Sequence, residues 1–139
     1  MTPDQLKFSK THEWTHFDPA TKTATVGLSA FALEALTDLV YVELPNVGRK
    51  VSVGESFGEI ESVKAVSDIY SPVAGEIVET YPVPNDPKDP KAAEKRMAQI
   101  KNDPYGEGWL VKIKVADEGA LGSLLSYADY QKQCAEEQH

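Results

Sequence analysis

Cysteine is almost missing from the 139-residue chain: Cys134 stands alone, so no internal disulfide can form and no cluster of cysteines can hold a metal. A reducing compartment is the expectation that follows. Long apolar runs are missing as well. Nothing approaches the roughly 18 consecutive apolar residues needed to span a bilayer, and the opening "MTPDQLKFSK" lacks the apolar centre of a secretory signal. The chain is therefore expected in a bacterial cytoplasm or, as a mature eukaryotic chain, in the mitochondrial matrix, without a membrane partner. Positive charge is the third scarcity. With 22 acidic against 14 basic side chains the net charge is −8, which leaves no general electrostatic footprint for nucleic acid. Basic or neutral protein partners suit it better. No nucleophile–base pair, Gly-rich phosphate loop or metal-ligand spacing is present, so an autonomous enzyme is not expected. His12 and His16 have no cysteine or acidic triad pattern beside them in sequence, and neither is expected to bind metal or to catalyse.

What is present reads as mainly β. Ala24, Val26 and Leu28 share one face of "TATVGL", and Val40, Val42 and Leu44 share one face of "VYVEL". In "WLVKIKV", Val111, Ile113 and Val115 point one way while Lys112 and Lys114 point the other, into solvent. Turn signals at "PNVG", "VGE", "SPVAGE" and "DPYGEG" separate these runs, and many short strands joined by Gly and Pro turns suggest a barrel or sandwich. "FDPATKT" has the composition of a further surface turn.

Helices are few and peripheral. Ser29 can cap a short one over "AFALEAL", with Phe31, Leu33 and Leu36 covering part of the sheet. Between Tyr81 and Asn102 the composition changes: Pro82, Pro84, Pro87 and Pro90 forbid a central strand. Asp89 followed by Pro90 reads as an N-cap with proline at the first helical position, and Ala93, Met97 and Ile100 form an apolar stripe, so a helix over about 90–101 is predicted. Lys91, Lys95, Arg96 and Lys101 then lie on its outer face, as either a solvated surface or a docking patch. The segment 117–139 ends in another helix, in which Ser126 and Asp129 resemble a capping box and Tyr127, Tyr130 and Cys134 share one side. Cys134 is thereby expected to be a packing residue. The whole of 1–139 fits one domain.

The scarcity of cations is sharpest in the middle of the chain. Between Val51 and Pro87 the one lysine or arginine is Lys64, while Glu55, Glu59, Glu61, Asp68, Glu76, Glu79 and Asp86 fall in the same window. "VGRKVSVGE" before it and "YSPVAGEIVE" after it form a loose repeat, which implies two similar halves with "SVKA" as the hairpin turn between them. A lysine at a turn ordinarily serves solubility. Here apolar Val63, Ala65 and Val66 surround it, small Ser62, Ala65 and Ser67 leave room for another protein to approach, and no second amine competes nearby. That composition suits a lysine that accepts a prosthetic group as a side-chain amide.

The block "GEIESVKAVSDIYSPVAGEIVE" resembles the lipoylation motif of the glycine cleavage system H protein family. "THEWTHF", "ATVGLSAFALEALTDLVYVELPNVG" and "NDPYGEGWLVKIKV" are similar to further stretches of that family, in the same order, and together they cover most of the chain outside 82–101. The resemblance implies a barrel-sandwich hybrid, the lipoyl/biotinyl-like fold, with short peripheral helices and with lipoate amide-linked to Lys64 within the modification motif of Glu61, Ser62, Val63 and Ala65. It implies a non-catalytic carrier that takes an aminomethyl group from the P-protein (glycine decarboxylase) to the T-protein (aminomethyltransferase) and is reoxidised by the L-protein (dihydrolipoyl dehydrogenase). A lipoate ligase or lipoyltransferase would attach the arm. Glu13 and Asp68 match positions implicated in sheltering the loaded arm, although "THEW" reads equally well as a structural entry into the first strand. One cysteine cannot supply a reversible vicinal dithiol, so any such chemistry must come with the cofactor.

The chain departs from the family pattern after "GEIVET", where 82–101 reads as an insertion. Three other functions compete. A lipoyl relay in lipoate metabolism would use the same motif, an unmodified interaction module would use the 90–101 helix, and biotin carriage is disfavoured because Lys64 lacks flanking methionines.

Overall fold

A computed structural model describes residues 2–36, 38–81 and 88–137. The proline-rich piece at 82–87 lies outside the described residues. Among the described residues, nine strands form two antiparallel sheets, flanked by three α-helices. The larger sheet contains β1 (Lys7–Phe8), β2 (Glu13–Asp18), β3 (Thr23–Leu28), β9 (Val111–Asp117), β8 (Ala74–Thr80) and β5 (Lys50–Val51), in that spatial order. The smaller one orders β4 (Leu39–Glu43), β6 (Ser56–Ser62) and β7 (Val66–Tyr70). This is the mainly β barrel-sandwich architecture with peripheral helices.

Period-two alternation supplies the core. Ala24, Val26, Val111 and Ile113 are fully buried and pack with Ile77 of their own sheet and with Val42, Phe57, Ile60 and Ile69 from across the sandwich. Burying each such aliphatic side chain contributes about 1.5–3 kcal/mol against leaving it in water. β4 breaks the expected face. A bulge between Leu39 and Tyr41 inserts Val40 as an extra residue opposite β6, so Val40 turns out to 49% exposure while Leu39 packs on the core.

The loose repeat has a physical counterpart, for each half gives one strand to each sheet. β5 pairs with β8 in the large sheet (Val51↔Gly75), while β6 and β7 pair in the small one (Glu61↔Val66). The lysine turn therefore closes a hairpin within one sheet.

A second, aromatic cluster seals the other end. Phe8, Trp14 and Tyr130 are buried there, and the Phe8 and Tyr130 rings stack at 4.4 Å. Trp14 lies across Gly27 on the paired strand, where a Cβ would sit 2.6 Å from the indole, so only glycine leaves the ring its place. The indole N–H then donates to the Pro104 carbonyl at 2.8 Å, tying "THEW" to "DPYGEGW".

α1 (Ala30–Leu36) begins where Ser29 Oγ accepts from the Ala32 amide at 3.2 Å, as its capping pattern predicts. α3 (Tyr127–Glu137) is capped the same way by Ser126, which accepts from Asp129 N. α2 (Pro90–Asn102) buries Met97 and Ile100, but its cap residue Asp89 makes no side-chain bond to the helix.

Two basic residues depart from their expected exposure. Arg96, placed on the outer face by sequence, is 2% exposed. Its guanidinium lies 3.5 Å from the Tyr81 ring centre and donates to the carbonyls of Glu107, Trp109 and Tyr81, so carbonyls left over by the "DPYGEGW" turn draw it inward. Lys91, Lys95 and Lys101 remain on the exposed face. Lys112 is half-covered, its ammonium 4.9 Å from the Trp109 ring centre and 3.9 Å from Glu79.

Candidate functional site: the Lys64 hairpin and the groove beyond it

β6 and β7 run antiparallel to Glu61↔Val66, and the chain reverses over 62–65. Ser62 makes that reversal specific. Its Oγ, in a residue 6% exposed, accepts from the Ala65 amide at 3.0 Å and the Lys64 amide at 3.3 Å and can donate to the Ala65 carbonyl at 3.0 Å. The Ser62 amide bonds the same carbonyl at 2.8 Å, and Val63 N donates to Asp38 O at 3.0 Å. A tip with its backbone groups so satisfied is a rigid mount.

The side chains on the mount face water. Lys64, Ala65 and Glu61 are exposed, Val63 is 78% exposed and Val66 58%. Among the described residues no carboxylate pairs with Lys64. Val40 and Tyr41 on the neighbouring strand add apolar surface to the same sheet. An accessible amine in a small-residue, apolar setting is chemically fit for acylation, which answers the demand an amide-linked arm would make of this chain.

Asp68 is exposed on β7 and accepts long hydrogen bonds from Ser56 Oγ at 3.3 Å and Tyr70 Oη at 3.4 Å. Glu13 is fully buried at the start of β2. One of its carboxylate oxygens accepts from Ser9 Oγ at 2.7 Å and from Thr11 Oγ1, and the other from the Tyr70 amide at 3.2 Å. Burial pushes its pKa above the ordinary value, against the pull of those donors. Tyr70 thus joins both acids, through its backbone and through its phenol. No local signal in the sequence marks it, because the junction depends on β7 lying against the entry to β2. Ser9, Thr11, Tyr70, Pro72, Ala120 and Leu124 line a largely apolar groove of about 450 Å³ beside this junction.

His12 is not isolated in space. Its Nδ1 lies 2.7 Å from Tyr130 Oη and its Nε2 3.2 Å from Glu137 Oε2, and Cys134 joins the group one helical turn before Glu137. The cysteine and acid that no local pattern places beside His12 in sequence come to it in space from the far end of the chain. His16 is half-buried on β2. Cys134 packs in the aromatic cluster, as expected, and burial raises its thiol pKa.

A model of the glycine cleavage H-protein family matches residues 6–137. The chain belongs to that family. Its relatives include the glycine cleavage system H proteins of Rhodopirellula baltica, 45% identical with 96% of each chain covered, and of Thermotoga maritima, 47% identical with 94% of this chain and 97% of the other covered. The crystal structure of a glycine cleavage system H protein from Mycobacterium marinum superposes with a TM-score of 0.78 at 38% identity, covering 96% of this chain and 99% of that one.

Proposed function

We propose that this H-protein family member is the non-catalytic lipoyl carrier of a glycine cleavage system, with Lys64 as the attachment residue. The observation that carries the reading is the exposed Lys64 amine, which pairs with no carboxylate among the described residues, on a serine-clipped hairpin tip in a chain that matches the family over nearly its full length. An attached lipoyl group supplies the reversible dithiol that a single cysteine cannot. Everything else falls to the chain's own residues.

Ser62 holds the root of the arm still, while Val63, Val66, Val40 and Tyr41 offer apolar contact to a lipoate ligase or lipoyltransferase and then to the P-, T- and L-proteins. Acylation would take the formal charge from −8 to −9, and the carboxylates around the tip favour docking on basic partner surfaces at low salt. Lysine plus lipoyl spans about 10–15 Å. From Lys64 to Asp68 the chain covers about 13 Å at ~3.3 Å per residue, so Asp68, whose hydrogen-bond partner Tyr70 lines the groove, falls within reach of the arm's end. Asp68 at the approach and Glu13 behind Tyr70 are the two acids available to hold an ammonium there, and the apolar lining would exclude water. Glu13 can take that role only if the Ser9 and Thr11 hydroxyls turn away. The bacterial relatives support a cytoplasmic carrier of this kind.

Intact mass after co-expression with a lipoate ligase tests the assignment. A lipoyl increment on the wild-type chain that vanishes in Lys64→Arg is expected, and an unmodified wild-type chain beside a modified control domain would overturn it. Glycine–bicarbonate exchange with a P-protein then separates glycine cleavage from a lipoyl relay, since a relay would be modified yet inactive.

A further inference from the structure

Away from the hairpin, three side chains of metal-ligand type converge from opposite ends of the chain. His12 sits in the turn between β1 and β2; Cys134 and Glu137 lie three residues apart on α3, hence on one face of the helix. A donor atom from each lies within 4.8 Å of the others. In a tetrahedral zinc site, bonds of about 2.3 Å to sulfur and about 2.0 Å to nitrogen or oxygen put ligands roughly 3.3–3.6 Å apart, so a contraction of about 1 Å suffices.

The surroundings orient the imidazole as an outer shell does. Tyr130 Oη, 2.5 Å from Ser29 Oγ, contacts Nδ1 and can accept its proton while donating to Ser29, which leaves the Nε2 lone pair facing Glu137. In that tautomer a cation can take the place between Nε2 and Glu137, 3.2 Å apart, that a proton holds in the other tautomer, where Nε2–H donates to the carboxylate. His12 is held in place: its backbone adopts φ 79°, uncommon for a non-glycine residue, its amide donates to Ser9 O, and its ring stacks on Phe31 at 5.2 Å. Cys134 borders a surface groove with Phe31 and Tyr105, so a cation can reach the sulfur. A metal bound at the sulfur would displace the thiol proton.

We propose that His12, Cys134 and Glu137 bind one divalent cation of the zinc class, with water in the fourth position. The sulfur–nitrogen–carboxylate set favours zinc or cobalt over magnesium and calcium. Such an ion cross-links the last helix to the Ser9–Glu13 turn, whose hydroxyls hold Glu13, and this is independent of any modification at Lys64.

Cobalt(II) titration of reduced, tag-free protein tests the site. One equivalent should develop a near-ultraviolet sulfur-to-cobalt charge-transfer band, and zinc should abolish it by competition. Cys134→Ser should remove the band, and His12→Asn, a residue that tolerates the left-handed backbone, should weaken binding at least tenfold, while His16→Ala leaves it unchanged. Zinc should also slow iodoacetamide alkylation of Cys134 at least tenfold in the wild type and not in His12→Asn. Absence of the band in the wild type, a band of undiminished affinity in His12→Asn, or alkylation at equal rates with and without zinc would overturn the proposal.

Discussion

Lys64 and Arg96 make an instructive pair of cations. Lys64 stands on a tip whose backbone is satisfied and whose side chains are exposed, with no carboxylate pairing with it among the described residues. Arg96 is buried on α2 and spends its donors on the carbonyls of Tyr81, Glu107 and Trp109 while stacking on Tyr81. One site leaves its charge free to be chemically removed; the other depends on keeping it. The difference lies in what the surrounding backbone lacks. The clipped turn engages its Ala65 carbonyl internally with Ser62, whereas the 107–109 turn offers the carbonyls of Glu107 and Trp109 to the guanidinium.

If that contrast holds, substitutions at the two sites should separate sharply. Arg96→Ala should cost about 3–5 kcal/mol in urea unfolding, because buried carbonyls lose a charged donor and the cation–π contact goes with it. Arg96→Lys should recover little, since an ammonium cannot fork between carbonyls and stack at once. Ser62→Ala should cost about 1 kcal/mol and speed hydrogen exchange at the Lys64 and Ala65 amides, and it should slow ligase modification without abolishing it.

Glu13 extends the contrast to an acid. Its folded pKa is raised, so the proton binds the folded state more tightly, and stability falls as pH rises from the ordinary value of 4.5 through the raised one. Glu13→Gln keeps the shape, with its amide oxygen able to accept from Tyr70 N and its NH2 able to donate to the Ser9 and Thr11 hydroxyls once they turn, and it loses the titration. Melting temperatures measured from pH 4 to 7 should therefore show the wild type losing ground to the variant as pH rises; parallel curves would mean that the buried carboxylate carries no desolvation penalty. The smallest effect belongs to Lys64→Gln, which should change stability by less than about 0.5 kcal/mol while eliminating the modified mass.

The same contrast explains how much was legible beforehand. Strands with strict alternation, such as Thr23–Leu28 and Val111–Asp117, were readable because one face is buried along their length. The Lys64 turn was readable because charge and size change abruptly around it. α2 was readable from Asp89, Pro90 and its apolar stripe. Arg96 was not, since nothing within the helix reveals carbonyls waiting in the next turn. Val40 escaped because a bulge shifts register without a sequence mark. Tyr70 and the His12–Cys134–Glu137 group escaped because their partners lie 57 to 125 residues away, a separation local patterns do not encode.

The Ser62 clip carries a mechanical consequence. With the main chain pinned at Lys64 and Ala65, a group hung from this lysine pivots about a fixed origin, and its search is confined to the rotors of the side chain and whatever extends it. The region swept would then be a dome of constant centre, so under the proposed function an approaching enzyme would need to align with the surface only once for a pendant end to find its cleft.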